Sequence, residues 1–80
     1  MPTFVVEYYA LLREERGVTQ ESVDSTASTP AALYDHLRGI HGFSLGRDAL
    51  KVVVNEDFVE WDAPLNDGDT VVFIPPVAGG

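Results

Sequence analysis

The chain contains no cysteine, so it can form no disulfide and offers no thiolate to a metal or a substrate. Basic residues are also few: five Lys and Arg stand against thirteen Asp and Glu, a net charge of −8. A surface of that sign repels phosphate backbones and argues against nucleic-acid binding. It suits either plain solubility or the approach of a basic protein surface. No apolar run approaches the roughly 20 residues of a membrane span, so no membrane association is expected. The opening stretch MPTFVVEYYALLREERG has no basic leader, and Glu7 breaks its apolar run. That pattern does not fit a secretory signal, and the cytoplasm is the expected compartment. His36 and His41 are spaced poorly for one helical face, so no metal site is expected. Asp67-Gly68-Asp69 is too short for a calcium loop and reads as a turn.

What is present is enough apolar content, 45% of 80 residues, to argue for a packed globule and against disorder. The length predicts one domain over residues 1–80, of which 75–80 form an extended C-terminal tail. Thr3–Ala10 is β-branched and aromatic and predicts a strand. Its alternation puts Phe4, Val6 and Tyr8 on one face and Val5, Glu7 and Tyr9 on the other. Leu11–Gly17 reads as a turn or loop, and Val18–Asp24 as a weaker strand returning antiparallel. Thr29 followed by Pro30 marks a helix start. Leu33, Leu37 and Ile40 then recur at helical spacing toward the core, and Gly39 or Gly42 ends the helix. Three short strands follow: Lys51–Asn55, Phe58–Trp61 and Thr70–Ile74, with a turn at Asn66–Asp69. Trp61 is expected as a strand residue covering the core edge.

Two strands, a helix and three strands predict an α+β fold, with one main helix laid across a mixed sheet. The ubiquitin-like β-grasp matches this order, with the first and last strands central and parallel. The chain then finishes FIPPVAGG. Pro75 and Pro76 cannot donate to a sheet ladder, so they end the strand and hold the next residues extended. Gly79 and Gly80 lack a Cβ and suit a narrow channel. Ordering four such residues in a partner would cost on the order of 4–8 kcal/mol, which docking of the body must offset. The terminal carboxylate is the candidate reactive group. It is ionised at neutral pH and a poor electrophile, so it needs a leaving group such as an adenylate. The chain has no phosphate-binding loop or nucleophile–base pair, so another protein must supply that activation. From the residues alone, a frayed and inert tail stands as the alternative.

The segments YYALLREERG, TPAALYDHL and above all VNEDFVEWDAPLNDGDTVVFIPPVAGG resemble the MoaD/ThiS sulfur carriers over essentially the whole chain. Within that family the resemblance is to the molybdopterin synthase small-subunit branch. It implies a β-grasp fold and a sulfur-carrying cycle. An E1-like enzyme uses ATP to adenylate Gly80, and a sulfur donor converts the adenylate to a thiocarboxylate. The tail then enters the large subunit of the synthase, and sulfur passes to a pyranopterin precursor of the molybdenum cofactor. By position, Gly80 carries the sulfur and Gly79 threads the channel, with Val77 and Ala78 leading in behind Pro75 and Pro76. Tyr9, Phe58 and Ile74 map to the partner-facing apolar surface, and Arg13 to a polar contact. Packing of Tyr9, Phe58 and Ile74 inside the core is the competing expectation.

The resemblance further implies a protein that is not an enzyme on its own and binds no cofactor or metal. It would join two large subunits and a second copy of itself in a heterotetramer. Two departures from the family pattern stand out: Ala32 replaces an acid at helix position N3, and Ile74 replaces an aromatic. Alternatives are a carrier for thiamine, cysteine or tRNA thiolation pathways, a ubiquitin-like protein modifier, and a plain binding module with an idle tail.

Overall fold

A computed structural model describes residues 1–76. The elements run β1 (Thr3–Tyr8), α1 (Ala10–Arg16), β2 (Gln20–Asp24), α2 (Pro30–His41), β3 (Lys51–Val54), β4 (Asp57–Val59) and β5 (Thr70–Ile74), with a 3-10 turn at Arg47–Ala49 before β3. The five strands make one mixed sheet in the order β2-β1-β5-β3-β4. Its centre is the parallel pair of β1 and β5, in which Val6 lies beside Val71 and Tyr8 beside Phe73. All other pairings are antiparallel. This is the expected α+β, ubiquitin-like β-grasp: a mixed sheet with one main helix across it.

Alternation decides which face is covered. Phe4, Val6 and Tyr8 of β1, Val71 and Phe73 of β5 and Val52 of β3 all point inward and are buried. They meet Leu33, Tyr34 and Leu37 of α2, with Phe43 and Leu50 arriving from the connection that follows. Tyr34 organises the aromatic part of this core. Its ring stacks on Phe43 at 5.9 Å and meets the edge of Phe73 at 5.0 Å, and its hydroxyl donates to the Leu45 carbonyl at 2.7 Å. Trp61 stacks on Phe73 at 6.0 Å. It covers the core edge as expected, but from the turn after β4 and not from within a strand.

α2 begins as its sequence dictates. The Thr29 hydroxyl accepts from the Ala32 N–H at 3.2 Å, and Gly42 closes the helix in the left-handed region. One expectation fails: Ile40 is 60% exposed, and Tyr34 takes its place in the core. At about 100° per residue, the buried line runs through Pro30, Leu33, Tyr34 and Leu37, and Ile40 falls about 70° from its centre. In the last turn none of the described residues comes over to cover it.

The segment expected as a loop after β1 is also different. Ala10–Arg16 is a helix, α1, ended by Gly17, whose N–H donates to the Arg13 carbonyl at 2.8 Å. Leu, Arg and Glu are good helix formers, and a single buried residue, Leu12, suffices to seat so short an element. A three-sided polar contact fastens it. The Tyr8 hydroxyl donates to Glu21 Oε2 at 2.6 Å, and Arg16 grips both Glu21 oxygens at 2.9 and 2.7 Å. β1, α1 and β2 are thereby joined through one carboxylate.

The turn at Asn66–Asp69 is stitched to the start of β1. The Thr3 N–H donates to Asp67 Oδ1 at 2.7 Å, and the Gly68 N–H donates to the Thr3 carbonyl at 2.8 Å. Gly68 holds φ +87° there, a conformation in which a Cβ would be strained. The entry to β5 is therefore fixed by the other end of the chain.

Candidate functional site

Among the described residues no helix covers the sheet's second face. The register brings Val5 and Glu7 of β1, Val72 and Ile74 of β5, Val53 of β3 and Phe58 of β4 onto this side. Tyr9 continues the β1 alternation one residue past the strand. Of the three residues expected at a partner surface, none is in the core: Phe58 is 73% exposed, Tyr9 is 43% exposed and Ile74 is half-buried. The sheet unites them across four strands, because Phe58 pairs with Val53, Val53 with Val72, and Ile74 follows Val72 on the same face.

Val53 and Val72 complete this apolar stripe and were not anticipated. Their runs, KVVVN and TVVFI, are apolar on both faces, so alternation alone cannot tell the open side from the covered one. A shallow depression of about 630 Å³ lies here, lined by Glu7, Tyr9, Val53, Asn55, Glu56, Thr70, Val72 and Ile74.

Tyr9 and Ile74 also belong to a groove around the corner, about 720 Å³, whose other walls are Ala10, Leu11, Glu14, Leu45, Pro75 and Pro76. Pro75 is buried and Pro76 exposed, so the first proline anchors the root of the tail and the second faces solvent. Ala10 takes φ +52° immediately after Tyr9, turning the chain out of the sheet and into α1. Leu11 could be placed in the groove only once α1 was known to be a helix. Arg13 lies exposed on the same helix. Val77, Ala78, Gly79 and Gly80 lie outside the described residues.

Titratable groups with displaced pKa values lie away from this face. Burial, then the hydrogen bond to Glu21, pushes the Tyr8 hydroxyl well above its ordinary value. The Arg16 hydrogen bond holds Glu21 below the usual carboxylate range. Burial, then neighbouring Arg16, lowers His41, and burial raises Tyr34. These groups tie elements together beneath the sheet. Among the described residues no group of three or more histidines and carboxylates is placed to hold a metal ion, and no helix is long and apolar enough to cross a membrane. The arrangement is an exposed apolar face beside Pro75 and Pro76.

Comparison with known proteins follows the same lines. The model of the ThiS family matches residues 6–80. The molybdopterin synthase sulfur carrier subunit of Escherichia coli is 36% identical, over 94% of this chain and 96% of that protein. Its counterpart in Haemophilus influenzae is 30% identical over the same shares. Among solved structures, SAMP1 from Haloferax volcanii superposes with a TM-score of 0.81 at 26% identity, covering 98% of this chain and 99% of that one. A chain from the complex of subunits 1 and 2 of the molybdopterin-converting factor of Helicobacter pylori shares the fold. It has a TM-score of 0.68 at 22% identity, covering 98% of this chain and 99% of that one.

Proposed function

The chain belongs to the ThiS family, and from that premise we propose that it is the sulfur-carrier small subunit of a molybdopterin synthase. An E1-like enzyme joins the Gly80 carboxylate to the α-phosphate of ATP and releases pyrophosphate. A sulfur donor then displaces AMP, leaving a C-terminal thiocarboxylate. The open face carrying Tyr9, Phe58 and Ile74 docks on the large synthase subunit while residues 77–80 enter its active site. There the sulfur passes to the pyranopterin precursor, and the carboxylate returns for another round. The chain binds no cofactor of its own, works in the cytoplasm in a complex of two small and two large subunits, and contributes the sulfur and not the catalytic machinery.

The observation that carries this reading is similarity along nearly the full length to two molybdopterin synthase sulfur carrier subunits. The physical argument agrees with it. A chain without cysteine can hold a transferable sulfur covalently on its terminal carbonyl. Intact-protein mass spectrometry after incubation with the activating enzyme, ATP and a sulfur source tests the proposal. The expected product has one oxygen of Gly80 replaced by sulfur, and deletion of Gly80 abolishes loading while leaving the melting temperature unchanged. Loading that survives the deletion refutes the assignment.

A second reading is favoured by the likeness to SAMP1, which is described in another solved structure as a small archaeal modifier protein. The same activated glycine would then end in an isopeptide bond to a lysine. Slower-migrating conjugates on denaturing gels, without any thiocarboxylate form, would select it.

A further inference from the structure

The carboxylates of this chain divide into those that hold the fold and those that do not. Asp67 accepts from the Thr3 N–H, Asp24 from the Thr3 hydroxyl, and Asp69 from Asn55 and the Asn66 N–H. Glu21 is taken by Tyr8 and Arg16. Glu7 and Glu56 are different. Neither forms an ion pair among the described residues, and both line the depression on the open face beside Tyr9, Val53, Val72 and Ile74.

Glu56 is the more informative of the two. It is a central residue of the turn joining β3 to β4, where Asn55 has φ +50° and Glu56 φ +76°. A turn with both central residues left-handed favours Asn-Gly, since a Cβ at the second position is strained. The chain nevertheless holds a carboxylate there, at the edge of its apolar stripe.

Covering this face with another protein would strip water from both carboxylates, which is unfavourable unless each meets a positive charge. Lys51, the register partner of Ile74, lies by the root of the tail at the end of the face away from Glu56, with Glu7 between them beside Val72. The face is therefore polarised along its length.

We propose that Glu7 and Glu56 are the charge contacts of the docking face, and that its partner presents an apolar patch bordered by two arginine or lysine side chains, one for each carboxylate. This rests on the reading above that the partner is the large synthase subunit. With Lys51 marking the other end, the charges select the orientation that delivers the tail to the partner. Attraction between the acidic face and a basic border also accelerates encounter.

The test measures association of the chain with the large synthase subunit of the same organism over a series of salt concentrations. It compares wild type with Glu7→Gln, Glu56→Gln and Glu56→Gly. Wild-type association should slow as salt rises. Each Gln variant should associate about threefold or more slowly at low salt, with a flatter salt dependence. Glu56→Gly should melt higher than wild type yet associate as slowly as Glu56→Gln, which separates a role in docking from one in folding. Variants that bind at the wild-type rate, with the wild-type salt dependence, overturn the inference alone. A wild type that does not bind the large subunit overturns the functional reading and this inference with it.

Discussion

Phe58 and Phe73 are the same residue type on the same sheet with opposite roles, and truncating each gives the sharpest test of the site. Phe58 is 73% exposed. Full burial of a phenylalanine stabilises by about 1.5–3 kcal/mol, so the covered quarter contributes no more than about 0.8 kcal/mol. Phe58→Ala should therefore lower the melting temperature by under about 6 °C for a domain of this size. Phe73 is fully buried, with Tyr34 and Trp61 packed on its ring. Phe73→Ala should cost about 3–5 kcal/mol, a large part of the roughly 4–12 kcal/mol that 80 residues provide.

Binding should show the reverse order. An aromatic anchor buried in an interface contributes about 2–4 kcal/mol, so Phe58→Ala should weaken association with the large subunit by about 30- to 700-fold. Thermal melts by circular dichroism and titration calorimetry on one preparation give both numbers. If Phe58→Ala melts as low as Phe73→Ala, or binds within about threefold of wild type, the open face is not the docking surface.

Other consequences are equally direct. Tyr8→Phe removes the hydroxyl that reaches Glu21 while Arg16 keeps its grip, and should cost about 1–2 kcal/mol in urea unfolding. Glu21 is held below its ordinary 4.5, chiefly by Arg16, so its contribution is complete above that pH and lost as pH falls through the lower folded value. His41, lowered from 6.5 mainly by burial, likewise contributes above 6.5 and less below it. Stability should thus decline in two stages on acidification, and Glu21→Gln should remove the second stage in a pH series of urea melts. Leu37→Ala should cost about 2–5 kcal/mol, whereas Ile40→Ser, on an exposed side chain, should stay within about 0.5 kcal/mol.

The features legible in the sequence were those with a local physical cause. The alternation in β1, the Thr29-Pro30 start of α2 and the glycine at Asn66–Asp69 each act over a few residues, and each sits where expected. α1 was missed because its seven residues show too little periodicity to distinguish from a loop. What holds it is Glu21, reaching from another strand. Ile40 was misplaced because spacing gives a helix face but not where the neighbouring elements end. At the site, Tyr9 was placed by alternation on the face with Glu7 as well as by resemblance, whereas Phe58 and Ile74 were found by resemblance alone, since nothing local says that an apolar residue in a short strand faces solvent. Val53, Val72 and Glu56 emerged only when strand register showed which side lay open.

The strand from which the tail hangs, β5, is also the strand that joins the two halves of the sheet. It runs beside β1 from the far end of the chain, and among the described residues it is the strand through which β1 and β2 are hydrogen-bonded to β3 and β4. A polypeptide broken off before Thr70 therefore lacks the strand that completes the native sheet. Incomplete copies, which would lack the C-terminal glycines, should be unfolded and open to proteolysis. They could not compete with whole copies for a partner that docks on the open face.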